Sequence, residues 1–146
     1  MSDGPRVLVV DDDPQLRGAL SRALELDGYD VSTASNGVKA LDAISASRPD
    51  VMVLDVMMPY VGGLDVCRTL RERKDRLPIL VLTAEASYHA PYDHCTVRYL
   101  EQAGVKPTAI RLVESGIRGN SHVMMLEKNN KEIAAVIEMW LQKTRF

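Results

Sequence analysis

The chain has 146 residues, enough for one domain with a substantial core. Its apolar fraction of 46% and charged fraction of 26% are those of an ordinary globular fold and exclude a disordered or fibrous one. A net charge of −2 gives no electrostatic reason to expect nucleic acid or an anionic membrane as a partner.

The first apolar run, Val7-Leu8-Val9-Val10, ends in Asp11, Asp12 and Asp13 and predicts a buried strand from about Arg6 to Val10. Pro14 suits the first turn of a helix, where its missing N–H costs nothing. Leu16, Leu20, Ala23 and Leu24 recur on one face of that helix, and Asp27-Gly28 stops it. A short strand follows around Tyr29 to Ala34. Asn36-Gly37 then opens a second helix, with Val38, Leu41 and Ile44 expected inward and Pro49 beyond its end. A third strand, Val51 to Asp55, leads through a loop over 57–63 into a helix carrying Leu64, Cys67 and Leu70. The basic run from Arg71 to Arg76 suits the C-terminal end of that helix dipole.

A fourth strand is expected from Ile79 to Thr83, and a fourth helix from Tyr92 to Ala103, with Cys95, Tyr99 and Leu100 inward and Gly104 as its stop. Thr108 to Val113 reads as strand five. A polar loop from Glu114 to about Asn130 precedes the last helix, Lys131 to Lys143, which should bury Ile133, Val136, Ile137, Trp140 and Leu141. Strands alternating with helices predict a parallel sheet covered on both faces. The expectation is a flavodoxin-like, doubly wound α/β domain over residues 1–146, with five parallel strands in the order 2-1-3-4-5.

In such a sheet, ligands bind at the carboxyl ends of the strands. Asp11, Asp12 and Asp55 should therefore meet at one edge, where they repel one another unless a cation lies between them. An all-oxygen set favours Mg²⁺ over a soft metal. Beside the hydroxyl of Thr83, such a cluster can neutralise an incoming phosphoryl group while one carboxylate attacks it. Cys67 and Cys95 lack a Cys-x-x-Cys spacing and read as two reduced thiols. His89 and His94 read as surface or capping histidines, since a third metal ligand is missing. No apolar run is long enough to span a membrane, and the N-terminus lacks the build of a signal peptide, so a cytoplasmic protein without a membrane partner is expected.

From about residue 6 to 84 the chain resembles the receiver domain of two-component response regulators, in particular the winged-helix transcription-factor class. The resemblance rests on three stretches: Val7-Leu8-Val9-Val10-Asp11-Asp12-Asp13-Pro14, Val53-Leu54-Asp55-Val56-Met57-Met58-Pro59, and Leu77-Pro78-Ile79-Leu80-Val81-Leu82-Thr83-Ala84. It implies Asp55 as phosphoacceptor and Thr83 as the hydroxyl that bonds the phosphoryl group. It also implies Mg²⁺ held by Asp11, Asp12, Asp55 and the Met57 carbonyl, and a sensor histidine kinase as phosphodonor. Gly62-Gly63 departs from the family's Asp-Gly and is expected to loosen the start of the third helix. No winged-helix effector follows, which again predicts no nucleic-acid contact.

The same resemblance calls for a lysine at the exit of strand five. Lys106-Pro107 lies at a suitable distance from Thr83, but it precedes the fifth strand and is expected at the opposite edge of the sheet. The expected exit carries Glu114 and Ser115 and no cation, which predicts impaired phosphotransfer. From about 87 to 143 the chain is similar to the C-terminal end of an α/β-hydrolase, with His122 at the position of the general base. There is no Gly-x-Ser-x-Gly nucleophile elbow, so the triad is incomplete and no enzyme is expected. Two resemblances meeting near 84–88 predict a receiver-like part completed by a hydrolase-like part over 85–146, as in an engineered chimera. The alternative functions are then a scaffold without biological activity and a vestigial esterase relying on His122.

Overall fold

A computed structural model describes residues 4–55, 58–83, 85–87, 91, 93–121 and 127–144, with the backbone alone at 82, 83 and 93. Strand β1 (Arg6–Val10) is central: Val7, Leu8, Val9 and Val10 are each at most 1% exposed. Burial on both faces is what an unbroken apolar run requires. On one side β1 pairs in parallel with β2 (Asp30–Ala34), and on the other with β3 (Val51–Leu54). Strands β4 (Leu80–Thr83) and β5 (Thr108–Arg111) form a second parallel ladder in which Thr83 is level with Arg111. A parallel bridge between Met52 and Ile79 sets β4 beside β3, giving the flavodoxin-like order 2-1-3-4-5.

Among the described residues, five helices cover the sheet: α1 (Pro14–Leu26), α2 (Gly37–Ala46), α3 (Gly63–Glu72), α4 (Asp93–Gln102) and α5 (Asn130–Lys143). Local chemistry sets their starts. The Asp13 carboxylate accepts from the backbone N–H groups of Gln15 and Leu16, and Pro14 occupies the first helical position of α1. The Asn36 side chain accepts from Lys39 N–H at the start of α2. By contrast α3 begins behind Gly62, which provides no side-chain cap.

Alternation along β1 divides the core. Val7 and Val9 pack with Leu20 and Leu24 of α1 and with Ile133, Ile137, Trp140 and Leu141 of α5. Leu8 and Val10 face the other way, toward Ala40 and Ile44 of α2 and Val66 and Leu70 of α3. A smaller cluster of Cys67, Ile79, Leu100 and Val105 seats α4. The first and last helices thus share one core with the central strand, and all five residues expected inward on α5 are buried.

Three expectations need correction. Val38 is 51% exposed, because the inner stripe of α2 runs through Gly37, Ala40 and Ile44, one position away. Cys95 and Tyr99 also point outward; α4 docks through Leu100 with Thr96 and Val97 half-buried, a stripe rotated by one residue. Finally, β5 stops at Arg111 rather than Val113. Leu112 turns into the core at the start of a 3₁₀ turn, Leu112–Ser115, which Gly116 closes with φ +79°. Among the described residues no helix is long and apolar enough to cross a membrane.

A Cβ on Gly37 would press into the Val61 carbonyl oxygen, a backbone atom that has little room to yield. Gly18, inside α1, is different: a Cβ there meets only the Arg22 guanidinium, at 3.4 Å. In urea unfolding, Gly37→Ala is expected to lose about 1–3 kcal/mol. Gly18→Ala is expected to gain about 0.5–1 kcal/mol.

Candidate functional site

The sheet ladders carry the acids to a common edge. Asp11 N–H continues the β1–β2 ladder by donating to the Ala34 carbonyl at 3.2 Å, and Asp55 N–H continues the β1–β3 ladder by donating to Val10 at 2.9 Å. Asp11 and Asp55 are therefore the first residues beyond two adjacent parallel strands. One oxygen from each of Asp11, Asp12 and Asp55 lies within 4.8 Å of the others, with Asp11 and Asp55 half-buried and Asp12 exposed. Two oxygens on one Mg²⁺ stand at most about 4.2 Å apart. The donor set is thus slightly open around a hard cation, and its chemistry fits one.

Burial, more than charge crowding, perturbs Asp11. The Asp11 carboxyl is pushed up from 3.8 to about 6, chiefly by burial, with repulsion from Asp55, Asp12 and Asp13 adding to it. The Asp13 N–H, which donates to the Asp11 carboxylate at 2.8 Å, opposes that rise. Arg17, one turn into α1, donates from Nη1 to the Asp11 backbone carbonyl at 2.7 Å and ties the acidic loop to the helix. This anchor was not anticipated from sequence. Its signal was a cation four residues after the capping Asp13, on the turn that faces back over the strand exit.

Thr83 closes β4 by its backbone position, level with Arg111. Met57 and His122, expected as a carbonyl ligand and as a vestigial base, lie outside the described residues, as does His89. Lys106 lies before β5 and lines a cavity of about 170 Å³ with Arg71, Arg76, Leu77, Pro78 and Gly104, at the edge where β4 and β5 begin. The expectation of no cation at the strand-five exit fails, because the strand ends two residues early and its last residue is Arg111. Around the hydrolase-like loop, the Asn120 amide bonds the Glu127 carboxylate and the Asn129 side chain, and Ser121 donates to Glu127 from both its N–H and its hydroxyl. These bonds draw Glu127 below the usual carboxylate range and pin the approach to α5. Cys67 and Cys95 are free thiols, and burial pushes Cys67 up to about 11, far from a nucleophile at neutral pH. His94 is exposed.

The sequence pattern of the response regulator receiver domain matches residues 7–117, most of the chain. The chain belongs to the response regulator receiver domain family. That match runs past the junction expected near 84–88 and reaches each of the strands β1 to β5. The chain is similar to the response regulator MprA of Mycobacterium avium, with 58% identity over 82 residues that cover 56% of this chain and 36% of that regulator. It spans little more than a third of the length of the curated relatives it matches. Among solved structures, the receiver domain of Francisella response regulator 1452 is similar in fold, with a TM-score of 0.66 at 24% identity, over 97% of this chain and 100% of that one. The Thermotoga maritima response regulator TrrA, solved with Mg²⁺ and beryllium fluoride, shares 27% identity with a TM-score of 0.62, over 92% of this chain and 97% of that one. Receiver domains of this family are phosphoacceptors for sensor histidine kinases, are generally not enzymes, and bind Mg²⁺ at an acidic pocket.

The raised Asp11 value fixes the sign of a pH effect. Between pH 3.8 and about 6 the folded receiver keeps a proton that the unfolded chain has released. Its stability without divalent cations therefore falls as pH rises through that window and levels off above it. Asp11→Asn keeps the acceptor for Asp13 N–H but removes the charge. With a chelator present, urea midpoints should show the variant more stable at pH 8 by on the order of 1 kcal/mol, after discounting for solvent contact, and the gain should vanish near pH 3.5.

Proposed function

We propose that this receiver is a phosphoacceptor and Mg²⁺-binding module of two-component signalling, with Asp55 as the acceptor. The observation that carries this reading is the convergence of Asp11, Asp12 and Asp55 within 4.8 Å at the exits of β1 and β3. When Mg²⁺ is bound by these carboxylates and the Met57 carbonyl, it supplies positive charge to the phosphoryl oxygens.

The chain's own part is nucleophilic. An Asp55 carboxylate oxygen attacks phosphorus, the bond from phosphorus to the donor's leaving atom breaks, and the leaving group departs with the electron pair. With a kinase as donor the leaving group is a histidine ring nitrogen; with acetyl phosphate it is acetate. Thr83, at the end of β4, is the hydroxyl that meets the new phosphoryl oxygen. Transfer is slowed because β5 exits without a lysine: Lys106 stands at the far edge, beside Arg71 and Arg76. Support for the kinase as donor comes from the family match and from the 58% identity to a response regulator.

Incubation with acetyl phosphate and Mg²⁺, followed by intact mass and peptide mapping, is expected to add one phosphoryl group at Asp55. Asp55→Asn should take none, and chelation of Mg²⁺ should abolish labelling of the wild type. A wild-type chain that stays unlabelled at saturating donor overturns the acceptor reading.

A further inference from the structure

Four of the six residues from 71 to 76 are cations, and the structure divides them between two tasks. The carboxylate of Asp75, in the same run, is drawn away: it pairs with Arg48 at 2.7 Å and accepts from Leu77 N–H at 3.1 Å. Arg71 meets backbone only, donating from Nη1 to the Asp75 carbonyl and from Nη2 to the Leu77 carbonyl at 3.2 Å. Lys106 comes from the far side of α4 and lines the same cavity as Arg71 and Arg76. Among the described residues no carboxylate forms an ion pair with any of these three. The carbonyl end of α3 offsets only about half a charge. We propose that this cavity binds a phosphate-type oxyanion between Arg71, Arg76 and Lys106, at the edge of the sheet remote from the acceptor.

The walls are fixed before any ligand arrives. Leu77, fully buried, and Pro78 lead directly into the Met52–Ile79 bridge. On the other side Gly104, at φ +80°, reverses the chain after α4. Val105 N–H then donates back to the Leu100 carbonyl at 2.8 Å, and its side chain is fully buried. Two residues beyond Lys106, Thr108 N–H donates to the Ile79 carbonyl at 2.9 Å. Lys106 is thus held between a core anchor and a sheet anchor, and its backbone has little freedom left to lose on binding.

Size and charge select the ligand. The cavity holds about 170 Å³. That is room for a phosphate and a few waters at about 30 Å³ each, but less than the roughly 300–1,000 Å³ of a pocket for a drug-sized molecule. Arg71 is half-buried, while Arg76 and Lys106 are exposed, so the organic part of an ester can project into solvent. A guanidinium carries five N–H donors, and the two carbonyls leave Arg71 with donors for a ligand. Three cations on two separate loops suit a tetrahedral dianion with several acceptor oxygens better than a planar carboxylate with one charge. Free phosphate and the terminal phosphate of a small ester share this chemistry. Either would tie the end of α3 to the loop between α4 and β5.

The test is an amide NMR titration of the full chain with sodium phosphate, with chelator present and chloride holding the ionic strength constant. Saturable shifts are expected at 71–77 and 104–106 and not at Asp11 or Asp55. Lys106→Gln and Arg76→Gln should each weaken binding about two- to fivefold. Arg71→Lys, which keeps the charge and loses the fork, should weaken it about tenfold. Arg73→Gln removes a cation of the same run that does not line the cavity, and should bind as the wild type does. Glycerol phosphate distinguishes the sources: tighter binding than phosphate assigns the site to an ester, weaker binding to the free ion, and both support it. Absence of saturation with both anions overturns the proposal. Wild-type affinity in Lys106→Gln and Arg76→Gln together overturns it as well, and so does a loss in Arg73→Gln equal to theirs, which would leave only bulk charge. Labelling of Asp55 needs Mg²⁺ and this titration excludes it, so the two readings fail independently.

Discussion

Parallel pairing between β1 and β3 obliges Asp11 and Asp55 to emerge side by side. Neither residue chooses its neighbour; each is the first position after a strand that packs into the core, so the register of those strands decides where the carboxylates go. A slip of one residue would turn Val7 and Val9 away from α1 and α5 and would disperse the acids at the same time. Packing of the central strand and assembly of the pocket are therefore one constraint.

The cost of that constraint falls on Asp11. It is half-buried beside like charges, and burial above all displaces its carboxyl up to about 6. The Asp13 N–H and the anchoring of its backbone carbonyl by Arg17 hold it in place despite the repulsion. A site that holds unfavourable charge in a fixed geometry is primed to bind what relieves it, first a hard cation and then, with that cation present, a phosphoryl group. At the opposite edge, Arg71, Arg76 and Lys106 gather where β4 and β5 begin.

The second ladder is joined to the first by a bridge at Met52–Ile79. Helix α4 rests on a small cluster around Leu100 and Val105, and among the described residues polar contacts of Asn120, Ser121 and Glu127 hold the approach to α5. Yet α5 itself returns to the main core through Ile133, Ile137 and Leu141, which closes the face opened by Val7 and Val9.

Local order was legible in the residues. Apolar runs bounded by acids, capping side chains at Asp13 and Asn36, and the spacing of Ile133, Val136, Ile137, Trp140 and Leu141 each report on interactions within a few positions, and the strands and helices they imply are present. Where the sequence misled, two helical faces or two strand ends were compatible with one pattern. Val38, Cys95 and Tyr99 each lie one position from the buried stripe, and only contact with Val61 or with the Ile79–Val105 cluster selects that stripe. The end of β5 is the sharpest case. Leu112 and Val113 extend the strand pattern on paper, but Leu112 finds a deeper place in the core by turning away, and this makes Arg111 the residue at the exit. Which elements form is decided by neighbours along the chain, while which residue ends a strand is decided by long-range packing that no local pattern contains.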